Sequence, residues 1–127
     1  IYIMSSSGTG VRRVTFAGRY NSSPTWSPDG KKLAFAGLDE KTGAFDIFLV
    51  TVDGMKIERL TRAYKASGKR ANNEDPTFSP DGRLLMFVSD RSGSNQLYVI
   101  NPDGRNERRI TFDRFHYEKP KWSPFLD

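Results

Sequence analysis

Ser27 with Asp29, and Ser79 with Asp81, place a hydroxyl two residues from a carboxylate twice in one chain. Nucleophilic catalysis can start from such a hydroxyl, but it also needs a base in reach and a third group to orient that base. Glu74 beside Asp75, with Glu118 further on, offers paired carboxylates of the kind that divide acid and base work in glycoside hydrolysis. Adjacent side chains in extended chain diverge, however, so Glu74 and Asp75 are badly placed to share one substrate. His116 is the single histidine and cysteine is absent. Neither a histidine-based zinc site nor H-E-x-x-H can be assembled, and thiolate chemistry, disulfides and cysteine-bound zinc are excluded. There is no G-x-S-x-G elbow, Walker loop or dinucleotide fingerprint, and no cofactor is expected.

The serine–aspartate pairs lose their catalytic appeal once their frame is seen. WSPDGKKLAF at Trp26–Phe35 returns as FSPDGRLLMF at Phe78–Phe87, and WSPF begins the phrase again at Trp122. IFLVTVDGMKIERLT (Ile47–Thr61) lies over LYVINPDGRNERRIT (Leu97–Thr111) without a gap, and the same frame falls on IYIMSSSGTGVRRVT (Ile1–Thr15). Repeats of 40 to 50 residues, each parsing into four short strands, are the signature of propeller blades. In S-P-D-G, Pro presets φ, Asp accepts a backbone bond two residues on and Gly takes the positive φ. Ser27, Asp29, Ser79 and Asp81 therefore read as turn residues. Asp53-Gly54 and Asp103-Gly104 also read as hairpin turns, since no D-x-D-x-D-G loop surrounds them. Trp26, Phe78 and Trp122 are expected in the core.

The expected fold is all-β, with blades of four antiparallel strands in an incomplete ring of about two and three-quarter blades. The last two strands of one blade occupy 1–15, full blades occupy 24–61 and 76–111, and 120–127 supplies the first strand of a closing blade. Every position of the third strands is apolar, Ile47 to Val50 and Leu97 to Ile100, so both faces of each sheet must be covered. The fourth strands carry Arg and Glu, which keeps an outer edge from pairing with other chains. A first residue that is not Met, falling mid-strand, implies a piece of a longer protein, whose open blade faces favour self-association.

Hydrophobic residues make up 36% and charged residues 28%, as in a globular chain. The 20 basic and 15 acidic residues give +5, spread over hairpin ends and loops. Basic residues are not interleaved with aromatics as a stacking platform requires, so nucleic acid is not the expected partner. No apolar run has the length of a membrane span, and no membrane insertion is expected.

Positions shared by the repeats are explained by blade geometry, so the differences between them mark function. The variable segments are the linkers from the fourth strand to the next first strand. Thr15 to Trp26 and Thr111 to Trp122 each span 11 residues, but Thr61 to Phe78 spans 17. In propellers these linkers and the second-to-third-strand loops surround one mouth of the channel, making it the expected working face. On it lie Tyr20, Asn21, Lys65, Lys69, Arg70, Asn72, Asn73, Glu74, Asp75, Phe115, His116, Tyr117 and Glu118, joined by Asp90 and Arg91 from the shorter loop. Aromatic, Arg and Asn groups on rigid loops suit protein recognition.

GRYNSSPTWSPDGKKLAF, NNEDPTFSPDGR and the closing KPKWSPF carry a more specific signal. Over essentially the whole chain the sequence resembles the β-propeller domain of the TolB family, periplasmic members of the Tol-Pal envelope system. The resemblance implies the C-terminal half of a six-bladed propeller whose last strand completes the first blade. It implies no enzymatic activity, a periplasmic location, and binding of the peptidoglycan-associated lipoprotein Pal at one mouth of the channel. Contact with TolA is implied through a segment absent from this chain. The competing reading is the gating propeller of a prolyl-oligopeptidase-like serine peptidase, in which a hydrolase domain would follow.

Overall fold

The computed structural model describes residues 1–125. The S-P-D-G turns close as their chemistry requires. Ser27 Oγ donates to Asp29 Oδ1 at 2.7 Å and accepts from Lys32 N–H at 2.9 Å, while Asp29 Oδ1 accepts from Lys31 N–H at 3.0 Å. Gly30 turns at φ 72° and donates its N–H to the Ser27 carbonyl at 2.9 Å. Ser79, Asp81 and Gly82 repeat the arrangement, with Ser79 Oγ to Asp81 Oδ1 at 2.6 Å.

Strands β1 (Tyr2–Ile3) and β2 (Arg12–Arg13) form a two-stranded hairpin. Strands β3 (Asn21–Trp26), β4 (Lys32–Asp39), β5 (Ala44–Thr51) and β6 (Lys56–Arg59) make one four-stranded antiparallel meander. Strands β7 (Asn73–Phe78), β8 (Leu85–Ser89), β9 (Gln96–Ile100) and β10 (Arg108–Arg109) make the second. The all-β, four-stranded architecture is thus present, and the sheets do not close into a ring.

Two boundaries differ from the sequence reading for physical reasons. The inner strands begin at Asn21 and Asn73, ahead of Pro24 and Pro76, because a bulge carries the pairing past each proline. The register shifts between Ser22 and Thr25 and between Glu74 and Thr77. Ser23 and Asp75, each before proline, take φ of 53° and 54°. A residue without an N–H is accommodated at such a bulge. The outer strands stop at Arg59 and Arg109 because a threonine hydroxyl takes over the next ladder bond. Thr61 Oγ1 accepts from Ile47 N–H at 2.9 Å, and Thr111 Oγ1 accepts from Leu97 N–H at 2.8 Å.

The core lies between the sheets. Ala34, Ala36, Ile47, Leu49 and Leu60 of the first pack on Phe78, Leu85, Phe87, Tyr98 and Ile100 of the second. Leu33, Phe35, Val50 and Val52 on the opposite face of the first sheet pack against Ile1, Ile3 and Phe48. The third strand of the first sheet is therefore covered on both faces, whereas the second sheet meets a neighbouring sheet on one face only among the described residues. Trp26 departs from the expectation of burial and is 47% exposed. Its counterpart Phe78 faces a four-stranded neighbour, whereas the face around Trp26 meets only the short β1–β2 hairpin. Beside that hairpin the same face opens a 530 Å³ cleft lined by Phe35, Leu38, Phe48 and Ile57, among others.

Residues 120–125 form no strand. The last two positions of the closing strand expected over 120–127 lie outside the described residues. Among the described residues no second strand stands beside this segment to pair with it. It is held instead by Trp122 Nε1, which donates to the Thr77 carbonyl of β7 at 3.0 Å. Lys119, before Pro120, repeats the positive φ of the inner strands at 47°.

Candidate functional site

The linkers and the second-to-third-strand loops come together on one side of the sheets, opposite the S-P-D-G turns. Asn72 ties two of them: its Oδ1 accepts from Phe45 N–H at 3.0 Å, and its backbone N–H donates to Asp90 Oδ1 at 2.8 Å. In the second sheet Asn95 N–H donates to His116 Nδ1 at 3.3 Å, Tyr117 N–H donates to the Asn95 carbonyl at 2.9 Å, and Gln96 Nε2 donates to the Phe115 carbonyl at 2.7 Å.

Beneath this rim sits a carboxylate that the sequence reading overlooks. Asp46, at the start of the third strand, is fully buried. Its Oδ1 accepts from Thr61 Oγ1 at 2.8 Å and from Asn73 Nδ2 at 3.0 Å. Its Oδ2 accepts from Arg70 at 2.8 Å and from Arg59. One buried anion thus joins its own sheet, the long linker and the inner strand of the next sheet. Four donors around one acceptor group are what allow a carboxylate to stay inside. The available sequence signal was a charged residue ahead of an apolar strand, answered by polar Gln96 in the next repeat.

The residues assigned to the rim from the sequence separate into two sets. Tyr20, Lys69, Phe115, His116 and Glu118 are exposed. Tyr20 packs edge-on against Phe45 with ring centroids 5.6 Å apart, and Phe115 is 73% exposed. Arg70, Asn72, Asn73, Asp90 and Arg91 instead build the frame. Asn73 is fully buried and corrects the sequence reading: it braces the rim and offers a partner no surface. Arg91 is engaged inward, with Nε to Ser89 Oγ at 2.9 Å, Nη2 to Asn73 Oδ1 at 3.0 Å, an ion pair to Glu107 and the Tyr98 ring 4.2 Å away. Asn21 opens β3 and donates its Nδ2 to the Ala17 carbonyl at 3.2 Å.

Three successive X-Pro corners meet at Asp75. Its Oδ2 accepts from Lys119 N–H at 2.9 Å and its Oδ1 from Ser23 Oγ at 3.4 Å. A cleft of 270 Å³ lies there, lined by Ser23, Pro24, Asp75, Pro76, Lys119 and Lys121, among others. Burial, followed by the charges of Asp75 and Asp90, pushes the half-buried Glu74 carboxyl up from its ordinary value. Burial works on Asp90 in the same sense, but Lys65 at 2.8 Å and the two bonds from Asn72 outweigh it and bring that carboxyl down. Tyr117 OH donates to Asp113 Oδ2 at 2.6 Å, which raises the phenol.

The rim presents exposed rings, cations and carboxylates on a braced frame, groups of the kind that suit recognition. The serine hydroxyls of the S-P-D-G turns face their own aspartates on the far side. Among the described residues no group of His, Cys, Asp and Glu is arranged to hold a metal ion, and no helix is long and apolar enough to cross a membrane.

An uncharacterized protein of Agrobacterium fabrum is 32% identical over the whole chain, which spans 40% of that protein. The Tol-Pal system protein TolB of Hydrogenovibrio crunogenus is 28% identical over 88% of the chain and 24% of its own length. A solved structure from Agrobacterium tumefaciens, carrying the TolB name as a provisional assignment, superposes with a TM-score of 0.84 at 32% identity. That match covers 97% of this chain and 41% of the other. A puromycin hydrolase crystal structure shares the fold at TM-score 0.66 and 19% identity, over 85% of this chain and 17% of its own. The chain therefore spans well under half the length of these proteins. The TolB beta propeller domain family matches residues 21–126, and the chain belongs to that family.

Proposed function

We propose that the chain is part of a non-enzymatic propeller of the Tol-Pal system that works in the periplasm by docking a Pal-type lipoprotein on the linker rim. The observation that carries this reading is the pairing of exposed rings, Tyr20 and Phe115, with a rim braced from beneath by buried Asp46. Exposed aromatics on a rigid support lose little entropy on binding and are typical of recognition surfaces. The peptidase reading draws on a likeness of fold alone, and a propeller fold hosts unrelated activities. The serines of this chain's repeated turns are committed to closing those turns.

The test is calorimetric titration of the purified protein with the soluble domain of the Pal lipoprotein from the same organism. Replacing Tyr20 and Phe115 together by Ala is expected to weaken binding by about 2 kcal/mol, with the melting temperature unchanged. Equal affinity of the double variant and the parent would refute the placement.

A further inference from the structure

The linker between the two four-stranded sheets is longer than the linkers on either side, and the structure folds its excess into a small hairpin. Tyr64 and Arg70 form an antiparallel bridge. Lys65 N–H donates to the Lys69 carbonyl at 2.8 Å and Ala71 N–H to the Ala63 carbonyl at 2.9 Å, with Gly68 at φ 82° completing the turn. Side chains anchor it at two points: Arg70 to buried Asp46 at 2.8 Å and Lys65 Nζ to Asp90 at 2.8 Å. The Arg70 guanidinium carbon lies 4.9 Å from the centroid of the Tyr64 ring. Held by backbone bonds and by this cation, the ring nonetheless stays 62% exposed. Within the chain that exposed area gains nothing from the hydrophobic effect.

The charges point the same way. Arg62, Lys65, Lys69 and Arg70 lie in this linker with no carboxylate between them. Lys65 and Arg70 are neutralised by Asp90 and Asp46. Arg62 and Lys69 are exposed and enter no ion pair among the described residues.

We infer that the hairpin around Tyr64–Arg70 is a recognition element that presents Tyr64 as a preorganised anchor to an acidic segment of a partner protein, with Arg62 and Lys69 meeting its carboxylates. This rests on the protein-binding reading above and names the chemistry of the partner. A tyrosine fixed by a stacked cation offers amphipathic contact area at low entropic cost. Flanking cations on an interface rim steer an acidic partner and make association salt-dependent. A nucleic acid strand would call for successive stacking rings along a basic groove, and an anionic bilayer for a broad apolar face. A single ring between two free cations supplies neither.

The experiment titrates the purified protein with the soluble domain of the organism's Pal lipoprotein at about 50 and 150 mM salt, and separately with phosphatidylglycerol vesicles. Tyr64→Ala is expected to weaken lipoprotein binding at least about 10-fold at unchanged melting temperature, with Tyr64→Phe retaining most of the affinity. Lys69→Glu is expected to weaken it several-fold, more at the lower salt. Arg105→Ala, on the opposite turn face, should leave it intact. If the parent binds while Tyr64→Ala and Lys69→Glu bind equally well, the hairpin is structural only; the inference falls and the docking reading stands. If the parent does not bind the lipoprotein, or binds only the vesicles, both fall.

Discussion

Asp46→Ala is the most informative perturbation of the frame. The substitution removes the common acceptor of Thr61 Oγ1, Asn73 Nδ2, Arg70 and Arg59. Arg59 keeps Asp39 at 3.4 Å. Arg70, with 12% of its side chain exposed, keeps only the face of Tyr64. Leaving one member of a buried ion pair without its partner costs about 3–5 kcal/mol, and orphaning a neutral donor adds about 1 kcal/mol. A loss of about 4–6 kcal/mol, a large fraction of a typical folding free energy, is therefore expected. Asp46→Asn retains an acceptor for Thr61 and Asn73 while dropping the charge that faces both guanidiniums, and should lose about half as much. Urea unfolding followed by fluorescence of Trp26 and Trp122 measures both, with an unchanged m-value showing that the folded state stays compact. In a double-mutant cycle with Arg70→Met, the pair should couple by about 1–3 kcal/mol, because the two replacements remove one shared interaction. A loss below about 1 kcal/mol for Asp46→Ala, or strict additivity with Arg70→Met, would refute the argument that this carboxylate joins the sheets.

Two neighbouring carboxylates should respond to pH in opposite senses. Glu74 is raised in the folded state, so its contribution to stability is present below its unfolded pKa and is lost as pH rises through the folded value. Glu74→Gln is accordingly expected to be more stable than the parent near neutral pH, with the gap closing in acid. Asp90 is lowered, so its contribution is present above the unfolded pKa and is lost as pH falls through the folded value. Asp90→Asn should be less stable than the parent at neutral pH and should converge with it in acid; denaturant midpoints measured across pH check both signs. Ser79→Ala removes a nearly buried hydroxyl that accepts from Leu84 N–H at 3.0 Å. It should cost about 1 kcal/mol of stability without changing partner affinity, measured by unfolding and calorimetry together.

The fold was legible in the sequence because each blade is specified by short-range chemistry. Turn residues stand within S-P-D-G, and the apolar third strands announce central, buried strands. Repetition exposes the scaffold, marking Ser27, Asp29, Ser79 and Asp81 as turn residues, and their bonds in the structure close those turns. The shortening of β6 and β10 was less accessible, since Thr61 and Thr111 end those strands with side-chain bonds to residues 14 positions earlier.

The rim divides along the same physical line. That the linkers vary, and that the middle one carries extra residues, is written in the chain. Which of their side chains face outward depends on partners brought close only by sheet packing. Asp46 reaches Asn73 across 27 residues and Arg70 across 24, and Arg91 reaches Asn73 across 18. No local spacing encodes those meetings, so Asn73 reads as a contact residue from the sequence while the structure makes it a brace. The placing of Tyr64 is equally long-range: Arg70 binds a buried carboxylate from another strand while its guanidinium stands against the tyrosine ring. Local propensity and repetition determined the sheets and their turns; long-range pairing of charges decided which residues support the rim and which are left exposed.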